Sequence, residues 1–494
     1  MTGITLSLTS LSYFAFILLL IPMYYLIRRE WQWQVLLLAS IFFFVIVSGA
    51  PSIPWILLQW IVTYGGARLM EHITSERKKK LLVTVLVLFL LTELFLLKYT
   101  KGLPFVAPIA ISFYSLSVLS YVLDVYWGIS AAERNPFRYL LFICFFPQMT
   151  SGPVTRYREM EPQFQAGASF DEKQVKKGII RTLYGVMKKC LIADQVAVMV
   201  NTIFGDTVTY QGAYVALGAV LFALQLYTDF SGCMDIILGT SECFGITLPE
   251  NFILPFSSVT MSEFWRRWHI TLGVWFKEYL LYPLLKSAPM QRLNTVCVGR
   301  FGRKKGKKIP TYLGLFVVWF LIGYWHGGAL HYVIGSGLLH YFYIVSGELL
   351  EPHVDKWTKK IRIDRTKGWY VCLRRLKVFL LVCSGFVFFR SETAYQGFKM
   401  LYRMVLPVEG SFFCALHITQ LGLSVTGMVL MLIGCMILWS VSYLQLKGIQ
   451  VRDRLLMQPV LLRYVCYVAL TLLTVLAMVR GYGNDVANFI YNRF

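Results

Sequence analysis

Long apolar runs alternate with short basic or polar stretches along almost the whole chain. A helix needs about 20 apolar residues to cross the hydrocarbon core of a membrane, and many of these runs approach that length. Several others are too short or too polar for a full crossing. The pattern therefore predicts an all-α, polytopic transmembrane helical bundle with about eleven crossings plus re-entrant or interfacial pieces. After a first run at about residues 11–27, the candidate spans are roughly 33–50, 53–70, 81–97, 105–127, 138–150, 178–204, 211–240, 268–285, 311–325, 328–350, 376–391, 421–445 and 464–480.

The composition agrees with a membrane protein. Of the 494 residues, 57% are hydrophobic and 15% are charged, and the mean hydropathy is +0.59. These values are far from those of a soluble globular domain. The longest hydrophilic stretches are residues 153–177, 286–310 and 351–377, and no soluble domain is visible among them. Residues 1–494 are therefore expected to form a single integral membrane domain.

The net charge of +22 comes largely from basic clusters between apolar runs, at residues 77–80, 303–308 and 359–377. An excess of lysine and arginine in short loops is typical of the cytoplasmic side of a membrane protein. Such loops are anchored by the anionic lipid of that leaflet. The charge thus indicates membrane lipids, and not nucleic acid, as the partner of the basic residues.

The first apolar run lacks the basic flank and the cleavage site of a secretory signal peptide, and Arg28 and Arg29 follow it. We therefore expect a retained first helix that starts outside the membrane and ends in the cytoplasm. The later spans return the chain to the outside, so both termini are predicted to be extracytoplasmic.

The sequence lacks the motifs that several kinds of enzyme chemistry require. The ten cysteines form no CxxC pair and have no zinc-like spacing to histidine, so they are expected to be small buried hydrophobic residues. The chain contains no P-loop, no HExxH and no G-x-S-x-G elbow. The sequence predicts no metal site and no bound cofactor.

Two histidines lie in strongly apolar sequence. His326 follows the apolar run that begins near Tyr312 and precedes a second run from His331, and His269 ends the segment Phe264-Trp-Arg-Arg-Trp-His269. An ionisable side chain at bilayer depth is rare and indicates a functional site. A neutral imidazole can also accept and donate a proton near neutral pH. Because basic loops flank residues 311–350, His326 is predicted to lie at the turn of a helical hairpin or in a broken helix.

Three further segments place polar side chains beside apolar runs. Arg156 lies in the proline- and glycine-containing stretch 145–157, where it could bind phosphate or an acyl carrier or simply anchor an interfacial loop. Asp229 and Asp235 lie in the stretch 225–235, within or beside an apolar run, and buried carboxylates need partners. Arg266, Arg267 or a protonated histidine is the expected partner, most simply in a structural ion pair.

The segment 261–272 is predicted to be helical. Ser262 is the expected N-cap of a helix that starts near Glu263. At helical spacing Arg266 and His269 would then share one face. The alternative interpretation is an aromatic and basic belt at the membrane interface.

Taken in order, these motifs resemble the membrane-bound O-acyltransferase (MBOAT) family, in the bacterial branch of alginate O-acetylation and teichoic-acid D-alanyl transfer subunits. The resemblance covers most of the chain, and the alginate type fits best. It rests on Pro108-Ile-Ala-Ile-Ser-Phe-Tyr114, Asp124-Val-Tyr126, Phe146-Pro-Gln148, Ser151-Gly-Pro153, Tyr227-Thr-Asp-Phe-Ser-Gly232, Pro249-Glu-Asn-Phe252, Phe264-Trp-Arg-Arg-Trp-His269, Trp325-His-Gly327, Val387-Phe-Phe-Arg390 and Phe489-Ile-Tyr491.

The resemblance implies a ring of tilted helices around a pinched central tunnel in a bacterial cytoplasmic membrane. A cytoplasmic acyl donor would enter from one side and an outward acceptor from the other. The nearly invariant histidine of the family corresponds to His326, and its second polar position to His269. His326 would be the general base or would otherwise assist transfer. His269, as the second catalytic residue, and the adjacent arginines would orient the acyl group or bind the donor. Trp325, Asp229 and Arg156 are further candidates for binding the substrate or donor.

Three functions stay open, the first two within the family that the motifs resemble and the third from another class of protein. The first is transfer of acetyl from acetyl-CoA toward a cell-surface or exported polysaccharide, with a separate extracytoplasmic esterase-like partner protein. The second is D-alanyl transfer from a carrier protein to teichoic acid. The third is a transporter of a cell-envelope precursor, in which the buried histidines and aspartate would relay protons.

Overall fold

The computed structural model describes residues 6–100, 108, 110–405 and 418–481, and it consists of α-helices joined by short connections. The helices up to residue 276 are α1 Leu11–Leu26, α2 Arg29–Ser48, α3 Ile53–His72, α4 Glu76–Tyr99, α5 Ile111–Tyr126, α6 Pro136–Cys144, α7 Tyr157–Ala166, α8 Glu172–Met187, α9 Asp194–Gly205, α10 Ala213–Glu242, α11 Met261–Trp265 and α12 Ile270–Phe276. The later helices are α13 Tyr282–Lys286, α14 Ala288–Gly306, α15 Lys308–Gly327, α16 Leu330–Tyr332, α17 Leu339–Lys360, α18 Gly368–Arg390, α19 Ala394–Val405, α20 Val425–Leu446, α21 Val451–Leu456 and α22 Val460–Gly481.

Seven helices of the described residues are long and apolar enough to cross a membrane, which confirms the predicted all-α membrane class. Two shorter apolar helices, α1 and α5, accompany them. The total of about eleven crossings and the single domain remain predictions, and the motif at residues 489–491 lies outside the described residues. The seven candidates are Arg29–Ser48, Glu76–Tyr99, Ala213–Glu242, Lys308–Gly327, Leu330–Lys360, Val425–Leu446 and Val460–Met478.

Within the described residues, three stretches of π-helix interrupt the bundle, at Lys188–Ala193, Lys277–Leu281 and Val333–Leu338. The first joins α8 to α9, so the predicted span 178–204 is two helices with a wider turn between them. π-helical turns are uncommon and often occur at functional sites. Here the first one carries two adjacent lysines, Lys188 and Lys189, which are almost completely buried.

Helices α8 and α10 approach each other closely along two glycine pairs. A Cβ atom at Gly239 would lie 2.5 Å from the carbonyl oxygen of Gly178, and one at Gly232 would lie 2.8 Å from the carbonyl oxygen of Gly185. Small residues allow helices in membranes to pack at short range. The close packing brings the polar side chains of Lys188–Ala193 against the middle of α10.

The helical hairpin predicted around His326 is present. Helix α15 ends at Gly327, and Gly328 has the left-handed conformation (φ 73°) that glycine tolerates best. The chain then returns through α16 and α17. A Cβ at Gly323 would lie 2.7 Å from Cα of Val333, so the two arms of the hairpin pack closely. The hairpin holds His326 in the last turn of α15, which is its first arm.

Candidate active site

His326 is buried, with 6% of its surface exposed. Its ring centre is 5.1 Å from that of the adjacent Trp325 and 5.5 Å from that of Phe389, in edge-to-face arrangements. Phe389 lies near the end of α18, within the Val387-Phe-Phe-Arg390 motif. The structure thus joins two motifs that are more than sixty residues apart in the sequence.

Trp325 connects the two histidines predicted to be functional. Its ring centre lies 6.3 Å from that of His269 and 5.1 Å from that of His326. Phe113 contacts both Trp325 (5.3 Å) and His269 (6.3 Å), and Phe230 packs edge-on to His269 at 4.8 Å. His269, which is 3% exposed, and His326 therefore belong to one buried aromatic cluster.

His269 does not lie on a helix, which corrects the sequence-based interpretation of residues 261–272. Helix α11 ends at Trp265 and α12 begins at Ile270, and His269 between them has a left-handed backbone (φ 47°, ψ 51°). This conformation is unfavourable for a residue with a side chain and is often found at functional sites. Arg266 and His269 consequently share no helical face. The N-cap of α11 is Thr260, and not Ser262, because its hydroxyl accepts a hydrogen bond from the Glu263 amide (3.1 Å).

The cause of the break is pairing with the connector that precedes α11. The amide of Ile253 donates to the carbonyl of Arg267 (3.0 Å), and the amide of Ile270 donates to the carbonyl of Asn251 (3.1 Å). Phe252 and Trp268 form an isolated antiparallel β-bridge between these bonds. The Ile270 amide and the Arg267 carbonyl thus bond to the distant connector in place of helical partners, whereas the amides of Arg267 and Trp268 still bond to the carbonyl of Phe264.

Asn251 is a site residue that the sequence analysis did not single out. Its Oδ1 atom lies 3.3 Å from Nδ1 of His269 and accepts hydrogen bonds from the amide and the hydroxyl of Thr271, both at 3.1 Å. A carbonyl oxygen only accepts, so Nδ1 of His269 carries the hydrogen and Nε2 carries the lone pair. Its position in the Pro249-Glu-Asn-Phe252 motif was the available signal.

The two predicted arginines next to His269 point elsewhere. Arg266 is exposed. Arg267 forms an ion pair with Glu263 (2.8 Å) and donates to the hydroxyl of Ser257 (2.9 Å). The structure therefore does not bring them into the aromatic cluster, and their role in donor binding stays a prediction.

The predicted partners of the buried carboxylates are wrong. Asp229 pairs with Lys189 (2.7 Å), which also contacts Asp194 (2.8 Å). Asp235 pairs with Lys188 at 2.5 Å and with Arg181 at 3.0 Å. The partners come from α8 and the π-helical turn, and not from Arg266, Arg267 or a histidine. Asp229 and Phe230 are adjacent on α10, so the same helix contributes to the ion network and to the aromatic cluster around His269.

Arg156 is also engaged within the protein. Its guanidinium donates to Glu278 (3.2 Å) and to the carbonyl of Val154 (2.9 Å), and it lies 5.0 Å from the ring centre of Tyr279. The side chain is 4% exposed. These contacts fix the stretch 145–157 against the Lys277–Leu281 turn, and a role for Arg156 in binding an acyl donor stays a prediction.

These features define a helical membrane protein whose candidate chemistry is centred on two buried histidines. Residues 130–298 match the family described as MBOAT, membrane-bound O-acyltransferase. The probable alginate O-acetylase AlgI of Pseudomonas fluorescens is 31% identical over 401 residues, which are 78% of this chain and 73% of that protein. The chain belongs to the membrane-bound O-acyltransferase family.

Two further relatives bear on the branch of the family. The probable alginate O-acetylase AlgI of Pseudomonas syringae pv. tomato is 34% identical over 294 residues, which are 59% of this chain. That alignment spans about half (51%) of the relative. The peptidoglycan O-acetyltransferase of Helicobacter pylori is 28% identical over 413 residues, which are 75% of this chain and 73% of that protein. The family resemblance recognised in the sequence is thereby confirmed.

Proposed function

We propose that this protein is an O-acyltransferase that moves acetyl from acetyl-CoA across the cytoplasmic membrane for O-acylation of a cell-surface or exported polysaccharide. The observation that carries the proposal is the joining of His326 and His269 through Trp325 in one buried cluster, in a chain of the membrane-bound O-acyltransferase family. The names of its relatives, which are acetylases of alginate and peptidoglycan, support acetyl as the group and a glycan as the acceptor.

In the proposed reaction His326 is the general base. The attacking hydroxyl of the acceptor gives its proton to the imidazole while its oxygen bonds to the thioester carbonyl carbon. The tetrahedral intermediate then loses the thiolate, which takes the proton from the imidazolium as the carbon–sulfur bond breaks. A neutral imidazole can perform both transfers without a net charge remaining at bilayer depth.

His269 has a different proposed role. Asn251 fixes its ring and its tautomer, so the lone pair of Nε2 is presented in one direction. A fixed imidazole that packs on Trp325 is suited to orient the thioester or the incoming acyl group. The neighbouring buried aromatic rings would exclude water from the thioester, which would otherwise be hydrolysed.

The proposal includes partners on both sides of the membrane. Acetyl-CoA, as a co-substrate, would arrive from the cytoplasm. A separate extracytoplasmic esterase-like protein would pass the acyl group to the glycan, as the resemblance to the alginate-type systems implies. The same resemblance supports a bacterial cytoplasmic membrane as the proposed location.

The test is acyl transfer by the purified protein in nanodiscs, supplied with radiolabelled acetyl-CoA and an acceptor glycan with or without candidate partner protein. Wild type is compared with His326→Ala and with His353→Ala, a matched control because His353 is exposed on α17. We expect label transfer by wild type and the control, and a loss of at least about 100-fold in His326→Ala, which is the usual scale of general-base catalysis. Unchanged elution on size exclusion would show that the variant is folded.

Three results separate the alternatives. Transfer that requires a D-alanyl carrier protein in place of acetyl-CoA would establish the D-alanyl function. Absence of transfer from either donor, together with movement of a lipid-linked saccharide into the lumen of vesicles reconstituted with the same protein, would establish a transporter. If the His326→Ala variant transfers acetyl at the wild-type rate, His326 is not the general base.

A further inference from the structure

The C-terminal end of α4 contacts the C-terminal end of α15, immediately before His326. The ammonium of Lys98 donates a hydrogen bond to the carbonyl oxygen of Trp325. The hydroxyl of Tyr99 donates to the carbonyls of Tyr324 (3.0 Å) and Trp325 (3.2 Å). Two adjacent side chains of one helix thus bind the last turn of another.

The bonded carbonyls are among the four that a helix leaves without an intrahelical partner at its C-terminus. The carbonyl of Tyr324 also accepts from the amide of Gly328 (2.8 Å), which is the usual way in which a left-handed residue closes a helix. The carbonyl of Trp325 takes both of its donors from α4. A buried carbonyl that loses its donors costs about 1–3 kcal/mol, so the last turn of α15 depends on these two side chains.

The contact also involves the rings. The Lys98 ammonium lies 4.8 Å from the centre of the Trp325 ring, where a cation is attracted by the aromatic face. The Tyr99 ring lies 5.1 Å from that of Tyr324, and a Cβ at Gly328 would lie 3.0 Å from Tyr99. Lys98 therefore contacts the Trp325 ring, and Tyr99 contacts the Tyr324 ring and the hairpin turn at Gly328. A positive charge at a helix C-terminus is also favourable for the helix dipole.

We propose that Lys98 is a positioning residue for acyl transfer, an inference that rests on the proposed function. By binding the Trp325 carbonyl and facing the Trp325 ring, Lys98 fixes the last turn of α15. It thereby sets the position of the His326 ring between Trp325 and Phe389. Tyr99 assists by sharing the same carbonyl.

The tests are Lys98→Met, which keeps the length of the side chain and removes the ammonium, and Lys98→Arg, which retains a cationic donor. Lys80→Met on the same helix is the matched control, because Lys80 is exposed at the opposite end of α4. The quantities measured are kcat and KM for acetyl-CoA in nanodiscs, with the thermal unfolding midpoint of each variant. Wild-type transfer is established first.

We expect Lys98→Met to lower kcat at least about tenfold, since small misplacements of a reacting group cost up to about 100-fold. KM for acetyl-CoA should stay within about twofold of wild type, because the donor binding groups are unchanged. Lys98→Arg should recover a clear part of the lost kcat. Tyr99→Phe should lose less than Lys98→Met, because the ammonium still serves the Trp325 carbonyl.

The outcomes that overturn the inference differ from those that overturn the function. If wild type transfers acetyl and Lys98→Met has the same kcat, Lys98 does not position the site, while the proposed function stands. Equal kcat values for the Met and Arg variants, with equal losses of unfolding temperature, would show a structural role only. If wild type transfers no acyl group from any donor, the proposed function itself fails.

Discussion

The side-chain oxygen of Asn251 lies 3.3 Å from Nδ1 of His269, and the same oxygen receives the amide and the hydroxyl of Thr271. One atom on the connector before α11 thus fixes the imidazole and the first turn of α12 together. The left-handed backbone of His269 is held in place by bonds on both of its sides.

Replacing Asn251 by Ala should reduce both stability and acyl transfer. The His269 ring and the Thr271 amide would each lose an acceptor in a buried site, at about 1–3 kcal/mol for each unsatisfied group. We expect a lower unfolding temperature and at least about a tenfold loss of transfer, by the usual cost of a misplaced reacting group. Asn251→Asp keeps an acceptor at the same place and should unfold at a higher temperature than Asn251→Ala. The opposite order would contradict the role of the Oδ1 atom.

Two substitutions at His269 separate the effect of losing the imidazole from the effect of the left-handed backbone. His269→Ala and His269→Gly both remove the imidazole, so acyl transfer should fall to a similar level in the two variants. Glycine adopts a positive φ without the cost of about 1–2 kcal/mol that a Cβ brings. His269→Gly should therefore unfold at a higher temperature than His269→Ala in the same detergent. Equal unfolding temperatures would mean that the left-handed conformation carries no strain.

The close approach of α8 and α10 predicts a strong effect of a single methyl group. In Gly239→Ala the new Cβ would meet the carbonyl oxygen of Gly178 at 2.5 Å, which forces the helices apart. Overpacking of this kind costs about 1–3 kcal/mol, so thermal unfolding in detergent should shift clearly downward. Gly347→Ala on α17 is the control, because a Cβ there would meet nothing within 4 Å. A Gly239→Ala protein as stable as the control would exclude the tight helix contact.

Because Lys189 contacts two carboxylates, the Lys189→Met and Asp229→Asn variants should differ in stability. Lys189→Met removes the cation that contacts both Asp229 and Asp194, whereas Asp229→Asn leaves Lys189 paired with Asp194. Breaking a buried pair costs about 3–5 kcal/mol when an uncompensated charge remains. Lys189→Met should thus be the less stable of the two single variants. The double variant Lys189→Met with Asp229→Asn should recover part of that loss in a double-mutant cycle. If the stability loss of the double variant equals the sum of the losses of the two single variants, Lys189 and Asp229 are not coupled.

The elements that the sequence predicted well are those set by local composition. The hairpin at His326 followed from apolar runs between basic loops, with glycines at the turn. The membrane class followed from run length alone. Both are decided by transfer of apolar helices into lipid, which depends little on contacts between distant residues.

The errors have one physical origin, which is pairing between distant segments. The helical register of residues 261–272 failed because the connector around Asn251 competes for the backbone amides near His269. The partners of Asp229 and Asp235 were missed because Lys188 and Lys189 lie within the stretch 178–204, which was predicted to be one apolar span. Lys98 gave no signal either, since its partner is a backbone carbonyl of Trp325.

The glycine-paired contact of α8 with α10 also bears on how the chain is inserted during synthesis. On its own, α10 would bring Asp229 and Asp235 into lipid uncompensated, which is costly for any helix that enters alone. Its cationic partners, Lys188 and Lys189, belong to the segment made just before it. We therefore expect α10 to partition into the membrane more favourably when the preceding segment pairs with it. The order of the chain makes the counter-charges available before α10 is complete.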